Sequence, residues 1–105
     1  MLILHKSDAG RTVSVAVGDR FSLELEENRA TGYAWSEPEF DEKGLVLKSN
    51  DPVPAAGPAV GGAGLRRFVF QVKTPGRGSV RTEYKRSWET DAPPSSRFEI
   101  TVVRS

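Results

Sequence analysis

The chain has no cysteine among its 105 residues. That absence removes disulfides, zinc–thiolate sites, iron–sulfur clusters and a cysteine nucleophile together. Histidine is nearly absent too: His5 is the single one, and no nucleophile–base–orienter set can be assembled from serines, threonines and one terminal histidine. Charge of one sign is missing. Fifteen Lys and Arg face fourteen Asp and Glu for a net charge of +1, which gives no electrostatic case for nucleic-acid binding or a polybasic membrane anchor. No apolar run approaches the roughly 18 residues of a membrane span. The apolar start Met1-Leu2-Ile3-Leu4 is too short for a signal-peptide core and lacks a basic lead. The expectation is a cytoplasmic protein as the chain stands, secreted or periplasmic if it is a mature form. It is expected to need no cofactor or metal and to be no enzyme.

What is present is a two-residue period. Val13, Val15 and Val17 alternate with polar or small residues, as do Phe21, Leu23 and Leu25. The pattern recurs at Phe68, Phe70 and Val72, at Val80, Thr82 and Tyr84, and at Phe98, Ile100 and Val102. Such alternation puts one face of a strand in a core and the other in water. Shorter strands are expected at Leu2–His5, Tyr33–Glu37 and Leu45–Lys48. No window carries a helical stripe, and ten Gly and seven Pro punctuate the chain. The length suits one domain, residues 1–105. The expected fold is all-β, an immunoglobulin-like antiparallel β-sandwich.

Turn chemistry divides the connections. Gly18-Asp19 and Pro75-Gly76-Arg77-Gly78 suit tight hairpins, whereas residues 50–64 and 86–95 form longer connections. In an antiparallel sandwich successive strands reverse, so alternate connections share an end. Strands centred on Phe21, Tyr33, Leu47, Phe68, Val80 and Ile100 therefore place connections 27–31, 50–64 and 86–95 together. The opposite end is plain. It holds the acidic run Glu37, Glu39, Asp41 and Glu42, which lacks calcium-ligand spacing and reads as a solvated turn. Arg66 and Arg67 are expected to be neutralised by Glu24, Glu26 and Glu27.

The three long connections carry motifs. The first reads Asn28-Arg29-Ala30-Thr31-Gly32-Tyr33-Ala34-Trp35, the second ends Gly61-Gly62-Ala63-Gly64, and the third opens Arg86-Ser87-Trp88. In order and spacing they resemble the chagasin family of cysteine-protease inhibitors, whose motifs are N-P-T-T-G-Y-x-W, G-x-G-G ahead of a strand with Phe, and R-P-W or R-P-F. Phe68, four residues beyond Gly64, fits the same spacing, and the resemblance covers nearly the whole chain. Four positions depart from the motifs: Arg29 and Ser87 stand where the family has proline, Ala30 where it has threonine, and Ala63 where it has glycine.

The resemblance implies an immunoglobulin-like fold and a reversible, competitive inhibitor of papain-like cysteine proteases. It further implies a monomeric wedge that occludes the substrate cleft without chemistry. The first loop would sit over the catalytic cysteine, the second along the non-primed side and the third on the primed side. The protease-binding residues it implies are Asn28, Arg29, Ala30, Thr31, Gly32, Gly61, Gly62, Ala63, Gly64, Arg86, Ser87 and Trp88. Glycines permit close backbone approach along a cleft, and a loop-tip tryptophan is a natural interface anchor. Other readings stand beside these. Trp35 and Tyr84 are expected in the core. Trp88 either anchors a partner or plugs the sandwich end, and Asn28 either contacts a partner or holds its own loop. Because the motifs have drifted, a non-inhibitory protein- or carbohydrate-binding module on the same scaffold is the alternative function.

Overall fold

The alternating segments become nine strands among the described residues, which in this computed structural model are 2–28, 32–54, 63–86, 88 and 93–105. They are β1 (Leu2–His5), β2 (Thr12–Val15), β3 (Arg20–Asn28), β4 (Tyr33–Trp35), β5 (Glu39–Phe40), β6 (Leu45–Pro54), β7 (Ala63–Val72), β8 (Gly76–Arg86) and β9 (Ser96–Arg104). One sheet runs β1-β3-β7-β6 and the other β2-β9-β8-β4, with β5 also paired to β8. The inward residues are those the alternation assigns. Phe21, Leu23, Leu25, Phe68, Phe70 and Val72 of the first sheet meet Val80, Phe98, Ile100 and Val102 of the second. Phe21 stacks on Phe70 at 5.3 Å between ring centroids, and Phe40 meets Phe70 edge-on at 5.1 Å. Burying each such side chain is worth about 1.5–3 kcal/mol, so this face is what selects the sandwich. Among the described residues no helix is long and apolar enough to cross a membrane.

Several local expectations change. Two pairings are parallel, β1 with β3 and β2 with β9. The N-terminal segment passes from the edge of one sheet to the edge of the other through a 3-10 turn at Lys6–Asp8, and so lies beside strands that run its own way. Neither expected hairpin is one. Gly18 takes a left-handed φ of 93° and the Asp19 amide donates to the Ala16 carbonyl at 3.0 Å, but β2 and β3 belong to different sheets. The Pro75–Gly78 turn likewise joins β7 to β8 across the sandwich. Turn residues encode a reversal of direction; which strand becomes the neighbour depends on burial of both faces. Val17 sits in the first of these turns and is exposed rather than inward.

The strand expected at Tyr33–Glu37 stops at Trp35, while the one expected at Leu45–Lys48 continues to Pro54. Its two late prolines are tolerated because β6 is an edge strand, paired to β7 on one side. The second connection is therefore shorter than 50–64, spanning residues 55–62.

At the plain end the inward row of β9 finishes in a cation. The Arg104 side chain is only 3% exposed; its Nε donates to the Thr74 carbonyl at 2.9 Å and its Nη2 to Asp41 Oδ2 at 3.0 Å. The guanidinium lies against Gly44, where an added Cβ would overlap it. The acidic run is thus partly engaged: Asp41 pairs with Arg104 and Glu39 with Arg81. The Lys43 backbone N–H, foremost, and then Arg104 hold the Asp41 carboxyl below its ordinary value of 3.8. The hydrogen bond from Arg81 does the same for Glu39, and the His5 backbone N–H followed by Arg11 for Asp8. A carboxyl whose folded pKa is depressed stabilises the fold above its unfolded pKa. That contribution is lost as pH falls through the folded value. The melting temperature should stay level above about pH 5 and fall below about pH 4. Asp41→Asn should lower it near neutrality and flatten the acid limb, as thermal scans across that window would show.

Candidate functional site

Strand register brings the three motif-bearing connections together. Asn28 pairs with Ala63, Pro54 with Gly64, Tyr33 with Arg86, and Tyr84 with Ser96. The strand ends carrying connections 29–32, 55–62 and 87–95 therefore lie side by side at one end of the sandwich, as strand parity requires.

Beneath that end sits a polar layer. The inward row Phe21, Leu23, Leu25 continues into Glu27, and the row Val72, Phe70, Phe68 continues into Arg66. The two form an ion pair: Nη2 to Oε1 is 3.0 Å and Nε to Oε2 is 3.3 Å, with 1% of the Glu27 side chain and 18% of Arg66 exposed. The Trp35 backbone N–H donates to Glu27 Oε2 at 3.0 Å, and its indole N–H to the Glu26 carbonyl at 2.9 Å. Arg66 Nη1 reaches Asn50 Oδ1 at 3.2 Å. One carboxylate thus joins β3, β4 and β7 at the root of the first connection. Arg67 pairs separately with Glu24 at 2.7 Å, so both arginines find acidic partners, as anticipated.

Above this layer the aromatic residues climb toward the surface. Trp35 is 7% exposed and meets Tyr84 at 5.0 Å; Tyr84 meets Tyr33 at 5.4 Å. The Tyr84 hydroxyl accepts the Asn28 backbone N–H at 3.0 Å, tying the end of β3 to β8. The Arg86 guanidinium lies 4.5 Å from the Tyr33 ring centre and 5.9 Å from that of Trp88, within cation–π range. Gly32 has a left-handed φ of 81°, and a Cβ there would overlap the Trp88 ring.

Of the residues singled out from the motifs, Asn28, Gly32, Gly64, Arg86 and Trp88, with the backbone of Ala63, are gathered at this end. Arg29, Ala30, Thr31, Gly61, Gly62 and Ser87 lie outside the described residues. Trp35 is in the core as expected, and Tyr84 packs half-buried against it. Trp88 is 66% exposed, so it does not plug the sandwich. Pattern reading saw Glu27 and Arg66 as mutual neutralisation and missed their support of the site. The usable signal was parity, since both continue inward-facing rows. Among the described residues no three acidic, histidine or cysteine side chains gather as a metal site.

A two-sheet sandwich that presents three motif-bearing connections from one end has the build of a loop-presenting inhibitor domain. The chain belongs to the chagasin family of peptidase inhibitors, I42, whose family model matches residues 14–102. Chagasin of Trypanosoma cruzi is 29% identical over 99 residues, covering 90% of each chain. The fold matches that of the cysteine protease inhibitor EhICP2 from Entamoeba histolytica with a TM-score of 0.90 at 24% identity, over 99% of this chain and 95% of that one. It also matches PbICP-C, solved in complex with falcipain-2, with a TM-score of 0.66 at 18% identity, over 100% and 98% of the two chains.

Proposed function

We propose that the protein is a reversible, competitive inhibitor of papain-like cysteine proteases, acting as a monomer that fills the substrate cleft with its three same-end connections. The observation that carries this reading is the strand register that gathers the strand ends flanking the three motif-bearing connections at one end of the sandwich. The first connection, with Asn28, Arg29, Ala30, Thr31 and Gly32, covers the catalytic cysteine. The second, with Gly61, Gly62, Ala63 and Gly64, runs along the non-primed side, and Arg86, Ser87 and Trp88 pack on the primed side. Family membership and the T. cruzi relative support the assignment. So does size, because inhibitor interfaces bury about 1,600 Å² in total, within reach of three connections on a small domain. The inhibitor performs no chemistry. Lacking cysteine, it has no thiol to exchange with the target's.

Titration of papain with the purified protein should give reversible competitive inhibition at 1:1 stoichiometry, with serine and metalloproteases unaffected. Papain blocked covalently at its catalytic cysteine should be captured weakly or not at all. Absence of inhibition across several papain-like proteases at micromolar concentration would overturn the reading. It would favour the non-inhibitory binding module that the departures at Arg29, Ala30, Ala63 and Ser87 otherwise suggest.

A further inference from the structure

Tyr33 is not among the residues that the motifs assign to protease contact, yet it is the middle member of a continuous ladder. Trp35, Tyr84, Tyr33 and Arg86 follow one another at 5.0, 5.4 and 4.5 Å, and Arg86 reaches Trp88 at 5.9 Å. The ladder begins in the core and ends at the most exposed large apolar side chain among the described residues. Its origin is the pairing of β4 with β8. Tyr33 and Trp35 share one face of β4, Tyr84 and Arg86 share one face of β8, and the register sets Tyr33 opposite Arg86 and Trp35 opposite Tyr84. Gly32, directly before Tyr33, supplies the floor on which the Trp88 ring rests. Trp88 of the third connection therefore sits on Gly32, at the exit of the first.

An exposed tryptophan on a connection would ordinarily sample several rotamers, and immobilising such a side chain on binding costs about 0.5–1.5 kcal/mol. Proline would restrict the backbone here, but Arg29 and Ser87 occupy the positions where the family motifs carry it. Stacked side chains can serve the same end.

We propose that Tyr33 is a positioning residue. Its ring, held against Tyr84, carries the Arg86 guanidinium. Arg86 and Gly32 together hold Trp88, so that Gly32, Arg86 and Trp88 present one ordered surface before a protease arrives. This rests on the inhibitor reading and adds to it a residue that acts through others rather than by contact. The kinetic signature differs from that of a contact residue. Removing a direct contact chiefly raises the dissociation rate. Removing pre-organisation lowers the fraction of molecules competent to bind, and with it the association rate.

The test compares Tyr33→Leu and Tyr33→Phe with the unaltered protein, by association and dissociation kinetics on papain and by heteronuclear NOE of the Trp88 indole N–H in the free inhibitor. Only two indole signals exist, and that of Trp35 is hydrogen-bonded in the interior. In the unaltered protein the Trp88 indole should be as ordered on the ps–ns timescale as the β8 amides. Tyr33→Leu should lose that order and associate about tenfold more slowly, with dissociation changed by less than about twofold. Tyr33→Phe, which keeps the ring, should match the unaltered protein in both readouts. A mobile Trp88 indole in the unaltered protein would overturn the proposal, as would a Tyr33→Leu effect confined to dissociation. The NMR arm needs no protease and decides the positioning role by itself. Failure to inhibit papain counts against the inhibitor reading alone.

Discussion

Trp88→Ala should weaken inhibition of a papain-like protease by about 2 kcal/mol or more, roughly thirtyfold in Ki, while leaving the fold intact. The ring is 66% exposed in the free protein, so its removal opens no cavity, and the stability change should stay within about 0.5 kcal/mol. A tryptophan offers a large apolar surface with two side-chain torsions to freeze, which is why such residues dominate interface energetics. Here the ring is also held before binding, by contact with Gly32 and by the approach of Arg86. The measurement is Ki by competitive titration alongside a thermal melt. A collapse in stability with unchanged inhibition per folded molecule would assign Trp88 to the scaffold instead.

The second large effect is on stability. Glu27→Ala should destabilise the protein by about 3 kcal/mol, the lower end of the range for breaking a buried pair, because Arg66 retains some solvent contact. The loss has two parts. The Arg66 guanidinium keeps its position beside the core without its carboxylate, and the Trp35 backbone N–H loses its acceptor. Set against a total stability of about 5–15 kcal/mol for a domain of this kind, that is a large share. The double replacement Glu27→Leu with Arg66→Met should recover much of it, since an apolar pair of similar volume avoids desolvating two charges. Urea unfolding of the unaltered protein, Glu27→Leu, Arg66→Met and the double variant completes the cycle, and an additive result would remove the pair from the account of what holds the site together. Glu27 also supports β4 beneath the first connection. Glu27→Ala, still folded at low temperature, should therefore inhibit more weakly than the unaltered protein.

The strand faces were legible because their cause is short-range. Alternation of Phe21, Leu23 and Leu25, or of Phe98, Ile100 and Val102, reports which side of an extended chain can leave water, whatever lies opposite. The grouping of the three connections followed from parity alone. Strand pairing was not legible to the same degree. Gly18-Asp19 and Pro75–Gly78 encode tight reversals whether the chain returns beside itself or crosses to the other sheet. The crossing wins because it buries both inner faces. Arg104 and Glu27 were hidden for a related reason. Each continues an apolar row, and a charge can occupy such a row only where a partner from a distant strand meets it: Asp41 for Arg104 and Arg66 for Glu27.

By itself the sequence excluded thiol and metal–thiolate chemistry, set the all-β class through its period of two, and carried three motifs in family order. Local pattern suffices for these, because composition and alternation act residue by residue. Only the tertiary structure decided that β1 and β2 divide between two sheets, that an ion pair and a tyrosine hydroxyl secure the root of the first connection, and that Trp88 rests on Gly32 near Arg86. Those contacts join residues far apart in the chain. Their energies depend on distances and burial that exist only once both sheets have closed on the same core.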